Sequence, residues 1–170
     1  MRFLLQCWLI PLAALLLPAF ALADGPDSRA VQGAALNRRL HPHMDWWRGR
    51  RLEVCRELMS PEVFTSNDEE ASLLRCLDRV PEGPELVADF LRRNTVEGKL
   101  TRLPSGLAIE ARFARGKHCR GATLSRAGFA DGGGLALVMV HFWFEGADYY
   151  LVRRGRHGWA AERTCHAWLE

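Results

Sequence analysis

The chain has 170 residues, a formal net charge of +3 and an apolar fraction of 48%, which is enough for one domain with a hydrophobic core. So small a net charge argues against the broad basic footprint of a nucleic-acid-binding domain. Only Lys99 and Lys117 are lysines among the 23 basic residues. This preference for arginine is typical of a GC-rich genome and indicates a bacterial source.

The N-terminal segment has the three parts of a secretory signal peptide. Arg2 precedes an apolar run from Phe3 to Leu17, and residues 21–23 form an A-x-A cleavage pattern. The alternative is an uncleaved anchor, because residues 3–23 are just long enough to span a bilayer. Two prolines and the cleavage pattern favour removal of residues 1–23. We therefore expect a single periplasmic or secreted domain, residues 24–170, with no stable membrane anchor after cleavage.

Four cysteines remain once Cys7 is removed with the signal peptide. They are Cys55, Cys76, Cys119 and Cys165. An even number of cysteines in an exported chain implies two disulfides, and three pairings exist. Two of the cysteines fall in the helical half and two in the strand half, so we expect the local pairs Cys55–Cys76 and Cys119–Cys165. A zinc site is disfavoured because the chain has no CxxC and no finger-like spacing.

The first half of the mature chain carries helical signals. Pro42 stops the first predicted helix, Asp45 caps the second, and Asn67 with Glu70 forms a capping box for the third. His41 and His43 flank Pro42 without a third ligand nearby, which favours an exposed turn over a metal site. The predicted helices are Ala30–Leu40, Asp45–Met59, Asp68–Arg79 and Glu85–Asn94, with a single turn at Ser60–Glu62 between the second and third.

The second predicted helix has an arginine-rich polar side. It carries Arg48, Arg50, Arg51 and Arg56, with Glu53 and Glu57 as partial counter-charges. An anion-binding face is one interpretation of this pattern. A solvated flank with i,i+3 ion pairs is the interpretation that we favour.

The second half of the chain changes to the period of a sheet. The run from Leu135 to Phe144 is almost entirely apolar, which indicates a central strand covered on both faces. The predicted strands are 107–114, 119–127, 135–144, 149–154 and 159–166. Alternation along the last strand places Trp159, Ala161, Arg163 and Cys165 on one face. The fold class is therefore α+β: N-terminal helices (about 30–97) packed on a curved antiparallel sheet of four or five strands (about 105–168).

The segment from Phe144 to Trp159, FEGADYYLVRRGRHGW, carries a resemblance. A strand rich in Tyr and Val, a glycine turn and a tryptophan that opens the last strand resemble the ending of small exported bacterial proteins of the nuclear transport factor 2-like superfamily. The resemblance covers the C-terminal meander. It implies a cone-shaped helix-on-sheet fold with a pocket at its open end. It carries over no functional residue, because members include enzymes, binders and inert scaffolds.

Candidate acids and bases are present without a catalytic pattern. They are His141, Glu145, Asp148, Tyr149, His157 and His166. His141 interrupts an apolar strand, so its side chain needs a polar partner or faces a cavity. No G-x-S-x-G motif accompanies the serines, and the cysteines are accounted for by disulfides. We expect no catalytic residue, no metal and no cofactor.

Binding is the function that the sequence favours. A pocket between helices and sheet would hold a small apolar ligand, and His141, Trp143, Tyr149 and Arg153 are the candidate lining residues. The alternative is an envelope protein as partner, with this chain acting as an inhibitor or immunity-type factor and Trp46 or Trp168 as anchors. A small hydrolase or isomerase is a further alternative. No nucleic-acid partner is expected.

Overall fold

We describe a computed structural model of the chain, which covers residues 26–65, 67–115, 119–130, 132–143 and 145–167. The predicted signal peptide and Trp168 lie outside these residues. The helices are α1 (Pro26–Leu40), α2 (Met44–Trp47), α3 (Asn67–Cys76) and α4 (Gly83–Arg93), with short 3-10 turns at His41–His43 and Pro61–Phe64. The strands are β1 (Leu52–Val54), β2 (Ala111–Phe113), β3 (Ala122–Leu124), β4 (Gly128–Phe129), β5 (Leu135–Phe142), β6 (Gly146–Gly155) and β7 (Gly158–Ala167).

The α+β class is confirmed, but the sheet is larger than expected and mixed. The described residues form seven strands where four or five were predicted, in the order β2-β1-β3-β5-β6-β7, with β4 paired to β5. β1 runs parallel to both β2 and β3, whereas β3, β5, β6 and β7 pair antiparallel. The purely antiparallel prediction was wrong because it contained no strand from the first half of the chain.

That missing strand lies inside the predicted helix Asp45–Met59. The helical part ends at Trp47, and Gly49 takes a φ of 74°, a left-handed conformation that interrupts a helix. Leu52 and Val54 are then both buried while Glu53 between them is not. Burial over Leu52–Val54 therefore alternates with the two-residue period of a strand. The 3.6-residue spacing of apolar side chains, from which a helix was predicted in this segment, is weak and does not determine its structure.

Other element boundaries were also too generous. The predicted strand 107–114 contracts to β2, and the predicted strand 119–127 contracts to β3, with the separate two-residue β4 following it. α3 ends at Cys76, not at Arg79. The helices α1 and α4 and the turn at Pro61 occur in the predicted segments, although α1 begins at Pro26 and not at Ala30, and α4 spans Gly83–Arg93 and not Glu85–Asn94.

Helices cover both faces of the sheet and divide the interior in two. Under α1 lies the α1 core, which contains even-numbered residues of β5 and β6 such as Val138 and Tyr150. Under α3 and α4 lies the α3/α4 core, which contains their odd-numbered neighbours such as Met139 and Tyr149. This arrangement confirms the prediction that the apolar run of β5 is central and covered on both sides.

A β-bulge in β7 changes which side chains share a face. Tyr149 pairs with Cys165, but Tyr150 pairs with Arg163, so Thr164 is an extra residue. The Thr164 hydroxyl accepts a hydrogen bond from the Leu151 N–H at 2.9 Å. Trp159 and Ala161 consequently pack against the α1 core, whereas Cys165 packs against the α3/α4 core. The prediction that they share a face was wrong; the side chain of Arg163 lies outside the described part.

The disulfides connect the two halves of the chain. Cys55 is bonded to Cys119 with 5.6 Å between their Cα atoms, and Cys76 is bonded to Cys165 with 6.1 Å. The predicted local pairs Cys55–Cys76 and Cys119–Cys165 were therefore wrong. Cys55 follows β1 and meets the segment before β3, while the bulge turns Cys165 towards α3. Two disulfides favour an oxidising compartment.

Within the described ranges, no helix has the length and apolar character needed to cross a bilayer.

Asp89 joins α4 to the sheet. Its carboxylate accepts the Phe129 N–H of β4 at 2.7 Å and the Arg93 Nε at 2.6 Å, and it also pairs with Arg92. Burial raises the pKa of Asp89, but the hydrogen bonds from Phe129, Arg93 and Arg92 outweigh burial, and the net pKa is lowered. The backbones of α4 and β4 approach each other closely here, because a Cβ on Gly128 would lie 2.5 Å from the Phe90 Cα.

We expect Asp89→Asn to reduce the free energy of unfolding by about 2 kcal/mol at neutral pH, because charged hydrogen bonds are lost. A carboxyl with a lowered folded pKa stabilises the native state above its unfolded pKa of about 4, and this contribution disappears as pH falls through the folded pKa. Urea unfolding of the wild type at pH values from 7 to 3 should therefore show a decrease in the free energy of unfolding that is larger than the decrease in Asp89→Asn. Asp78→Asn, at an exposed carboxylate, is the control. If the free energy of unfolding fell equally with pH in the wild type and in Asp89→Asn, the stabilising role assigned to the Asp89 carboxylate would be contradicted.

Candidate functional site

A cleft opens where α1 ends against the sheet. Pro42 ends α1 and turns the chain into α2, so the last turn of α1 and the tryptophans of α2 face the end of β5. Two adjoining cavities of about 350 Å³ and about 320 Å³ share Arg39, His43 and Glu145. We call them together the Arg39 cleft. The first cavity is also lined by Leu40, Trp46, Trp47 and Phe142, and the second by Arg38, Pro42 and Tyr150.

The walls of the first cavity are mainly apolar and aromatic. Trp46 and Trp47 are in edge-to-face contact, with 4.7 Å between ring centroids. Leu40 and Phe142 are buried behind them. Trp46 keeps 52% of its surface exposed, so part of this aromatic wall remains accessible. Concave apolar surface with a few polar groups is the usual character of a small-molecule site.

A buried ion pair stands behind the cleft. Arg39 Nη1 pairs with Asp148 Oδ2; the Arg39 side chain is 12% exposed and the Asp148 side chain is fully buried. His166 Nδ1 lies 2.7 Å from the other Asp148 oxygen, and the Tyr150 hydroxyl lies 3.5 Å from Oδ2. A buried carboxylate requires such partners, because burying an uncompensated charge is costly.

Arg39 also reaches the turn between β5 and β6. Its Nη2 donates to the Glu145 backbone oxygen at 3.1 Å and lies 3.5 Å from the Glu145 carboxylate. Arg39 follows Arg38 in the last turn of α1, where the helix dipole favours positive charge. One guanidinium thus connects the helix terminus, the turn and β6, and it holds the shape of the cleft.

The four predicted lining residues are not brought together. His141 is half-buried on β5 opposite Thr123 and Ala147, whereas Arg153 pairs with Leu135 at the other end of β5. The separation of six positions between Ala147 and Arg153 corresponds to about 20 Å of strand. Tyr149 is buried in the α3/α4 core, and Trp143 is 65% exposed after the end of β5. None of these four side chains lines the Arg39 cleft.

Two of these residues have clear local roles. Burial lowers the pKa of His141, and the positive charge of Arg39 lowers it further, so this side chain is neutral at pH 7. Tyr149 packs edge-to-face on Phe90 at 5.7 Å and donates a hydrogen bond to Glu69 of α3. Burial, followed by the Glu69 hydrogen bond and charge, raises the pKa of Tyr149. Both groups therefore keep their neutral form.

Sequence reasoning missed the cleft because its lining residues come from two distant segments, 38–47 and 142–150, and because Asp148 behind it is also contacted by His166 of β7. Glu145, Asp148 and His166 were considered as acids and bases, but they show no motif in sequence. Asp148 was assigned to a turn, whereas it lies inside β6 opposite Val140. One feature of the sequence could have indicated this site: Asp148 stands between Ala147 and Tyr149 beside an apolar strand, and a carboxylate that is buried there needs a positively charged partner. The position of Arg39 beside the helix-stopping Pro42 was the other signal.

The charged groups behind the cleft are engaged with one another. The Asp148 carboxylate is engaged by Arg39 and His166, and the His166 ring lies against the backbone at Gly146, where a Cβ would be 3.6 Å from its Nε2. All four cysteines outside the predicted signal peptide are in disulfides. Among the described residues, no group of three or more His, Cys, Asp or Glu side chains could hold a metal ion.

Comparison with known proteins identifies no relative: no family model, no curated protein and no solved structure matches the chain.

Proposed function

We propose that this chain is an exported bacterial envelope protein that binds a small, mainly apolar ligand in the Arg39 cleft without transforming it. The observation that carries the proposal is a cavity of about 350 Å³ with an aromatic wall, Trp46 and Trp47, and a lining in which the polar residues are few. Such a cavity favours a ligand with an apolar or aromatic body and one polar end near His43 and Glu145. The two disulfides support function in the periplasm or outside the cell.

The binding surface is tested with anilinonaphthalene sulfonate, a fluorescent probe that has an aromatic body and one polar end. We expect saturable binding with a fluorescence increase, and a loss of about tenfold in affinity in Trp46→Ala, because removing half-buried aromatic surface costs about 1.4 kcal/mol. Trp143→Ala is a matched control, since Trp143 is also an exposed tryptophan but does not line the cleft. Equal affinities of the two variants for the probe would contradict the proposal.

A protein partner is the second candidate function. Trp143 is 65% exposed, and large exposed aromatic side chains are frequent anchors of protein interfaces. An inhibitor or immunity-type role in the envelope would use such an anchor. Pull-down from envelope extract with wild type and Trp143→Ala tests this candidate. A partner retained by wild type and lost in the variant would support it, whereas equal recovery would contradict it.

A further inference from the structure

The positive charge of the protein is concentrated at one edge of the sheet. Residues 45–56 and the described residues of 110–120 (110–115, 119 and 120) together contain seven basic and three acidic residues, a formal charge of +4, whereas the whole chain carries +3. We call these two segments the basic edge. The remainder of the chain is therefore formally negative, and the small net charge conceals a strong separation of charge.

Tertiary structure brings the two segments of the basic edge together. β1 and β2 pair in parallel from Leu52↔Ala111 to Val54↔Phe113. The Cys55–Cys119 disulfide closes one end, and the Ala114 N–H donates to the Val54 oxygen at 2.9 Å. β2 is the outermost strand of the sheet, so this charge is presented at the surface.

The acidic residues of the basic edge neutralise only part of its positive charge. Asp45, Glu53 and Glu110 pair with Arg48, Arg112 and Arg51 at 2.9, 2.6 and 2.9 Å. Among the described residues, four further exposed arginines have no carboxylate within ion-pair distance: Arg50, Arg56, Arg115 and Arg120. Arg50 lies over the ring of Trp46 at 4.2 Å and Arg56 over the ring of Phe113 at 4.2 Å.

We propose that the basic edge binds reversibly to the surface of an anionic phospholipid membrane. Guanidinium groups pair with lipid phosphates, and each basic residue near an anionic surface contributes about 1 kcal/mol, or about fivefold in affinity. The half-exposed indole of Trp46 lies against Arg50, and tryptophan is the side chain that favours the membrane–water interface. A half-exposed indole stacked on the guanidinium of Arg50, which has no carboxylate partner among the described residues, favours a lipid surface over a polyanion bound by charge alone.

The test is co-flotation of the full chain with vesicles of phosphatidylcholine containing phosphatidylglycerol, compared with pure phosphatidylcholine. We expect binding only to the anionic vesicles, weakened by salt. Arg115→Glu/Arg120→Glu should lower the affinity by about 30-fold or more. The control Arg102→Glu/Arg156→Glu makes the same change of net charge at exposed positions outside the basic edge and should remain within a few-fold of wild type.

Several outcomes would overturn this inference. Equal losses in the two double variants would show that only net charge matters, and equal binding to pure phosphatidylcholine would remove the electrostatic argument. Tighter binding to heparin or DNA than to the vesicles would replace the lipid surface with another polyanion. Circular dichroism and melting temperature check folding, and Arg50→Glu provides an independent variant. Arg115 and Arg120 do not line the Arg39 cleft, so their effect on vesicles is separable from probe binding in the cleft.

Discussion

Replacement of Asp148 by asparagine is expected to lower the free energy of unfolding by about 3–5 kcal/mol, because it removes the buried partner of Arg39 and leaves this cation, among the described residues, with only the distant, partly exposed carboxylate of Glu145. Asp148 is fully buried, and it pairs with Arg39 and contacts His166 Nδ1 at 2.7 Å. In the part of the chain that the structure describes, the other carboxylate paired with Arg39 is that of Glu145, which lies 3.5 Å away with a side chain that is 36% exposed and therefore replaces Asp148 only in part. The measurement is urea unfolding at neutral pH.

Two comparisons separate a buried charge from a generally fragile strand. Asp27→Asn removes a carboxylate that is 58% exposed and 3.9 Å from Arg154, so its effect should remain within about 0.5 kcal/mol. Combining Asp148→Asn with Arg39→Met removes both charges and should recover at least half of the loss. A single-variant loss below about 1 kcal/mol, or no recovery in the double variant, would contradict the role assigned to this pair.

The second large effect is expected from the disulfides. Cys55–Cys119 and Cys76–Cys165 close loops of 64 and 89 residues, which corresponds to about 4 kcal/mol each in the chain-entropy account. Replacing both cysteines of either pair with serine should therefore lower the free energy of unfolding by about that amount. Losing both bonds should remove most of the stability of a domain this size, since such domains have only about 5–15 kcal/mol in total.

Peptide mapping under non-reducing conditions tests the connectivity itself. The expected fragments link Cys55 to Cys119 and Cys76 to Cys165. A Cys55–Cys76 fragment would restore the local scheme and contradict the structure. The two serine pairs serve as controls for one another: loss of Cys76–Cys165 should loosen α3 and β7, whereas loss of Cys55–Cys119 should loosen the basic edge.

Sequence patterns that lie within single segments were sufficient to predict many of the helices and strands. α1, α4, β5 and the hairpin of β6 and β7 lie where hydrophobic period, proline and glycine turns placed them, because each is long and buries a regular set of side chains. β1 was missed because three residues in an arginine-rich segment carry too little pattern. Its strand character depends on β2 and β3, which are contributed by residues about 60 positions later.

The candidate site could not be inferred in the same way. His141, Trp143, Tyr149 and Arg153 were chosen because they are polar or aromatic residues in or beside strands, and the β5–β6 register separates them. The Arg39 cleft depends on where Pro42 directs α2 and on the burial of Asp148. Neither is a property of a short window of sequence.

By itself, the sequence determined the α+β class, the central position of β5 and the presence of two disulfides, because composition, period and cysteine number are local or additive quantities. Tertiary structure alone decided the disulfide partners, since one extra residue at Thr164 turns Cys165 to the opposite face of the sheet. It also decided the partner of Asp148 and the joining of residues 45–56 to 110–115 in the basic edge. Each of these depends on pairing between segments distant in the chain, and one residue of register reverses the face that a side chain occupies.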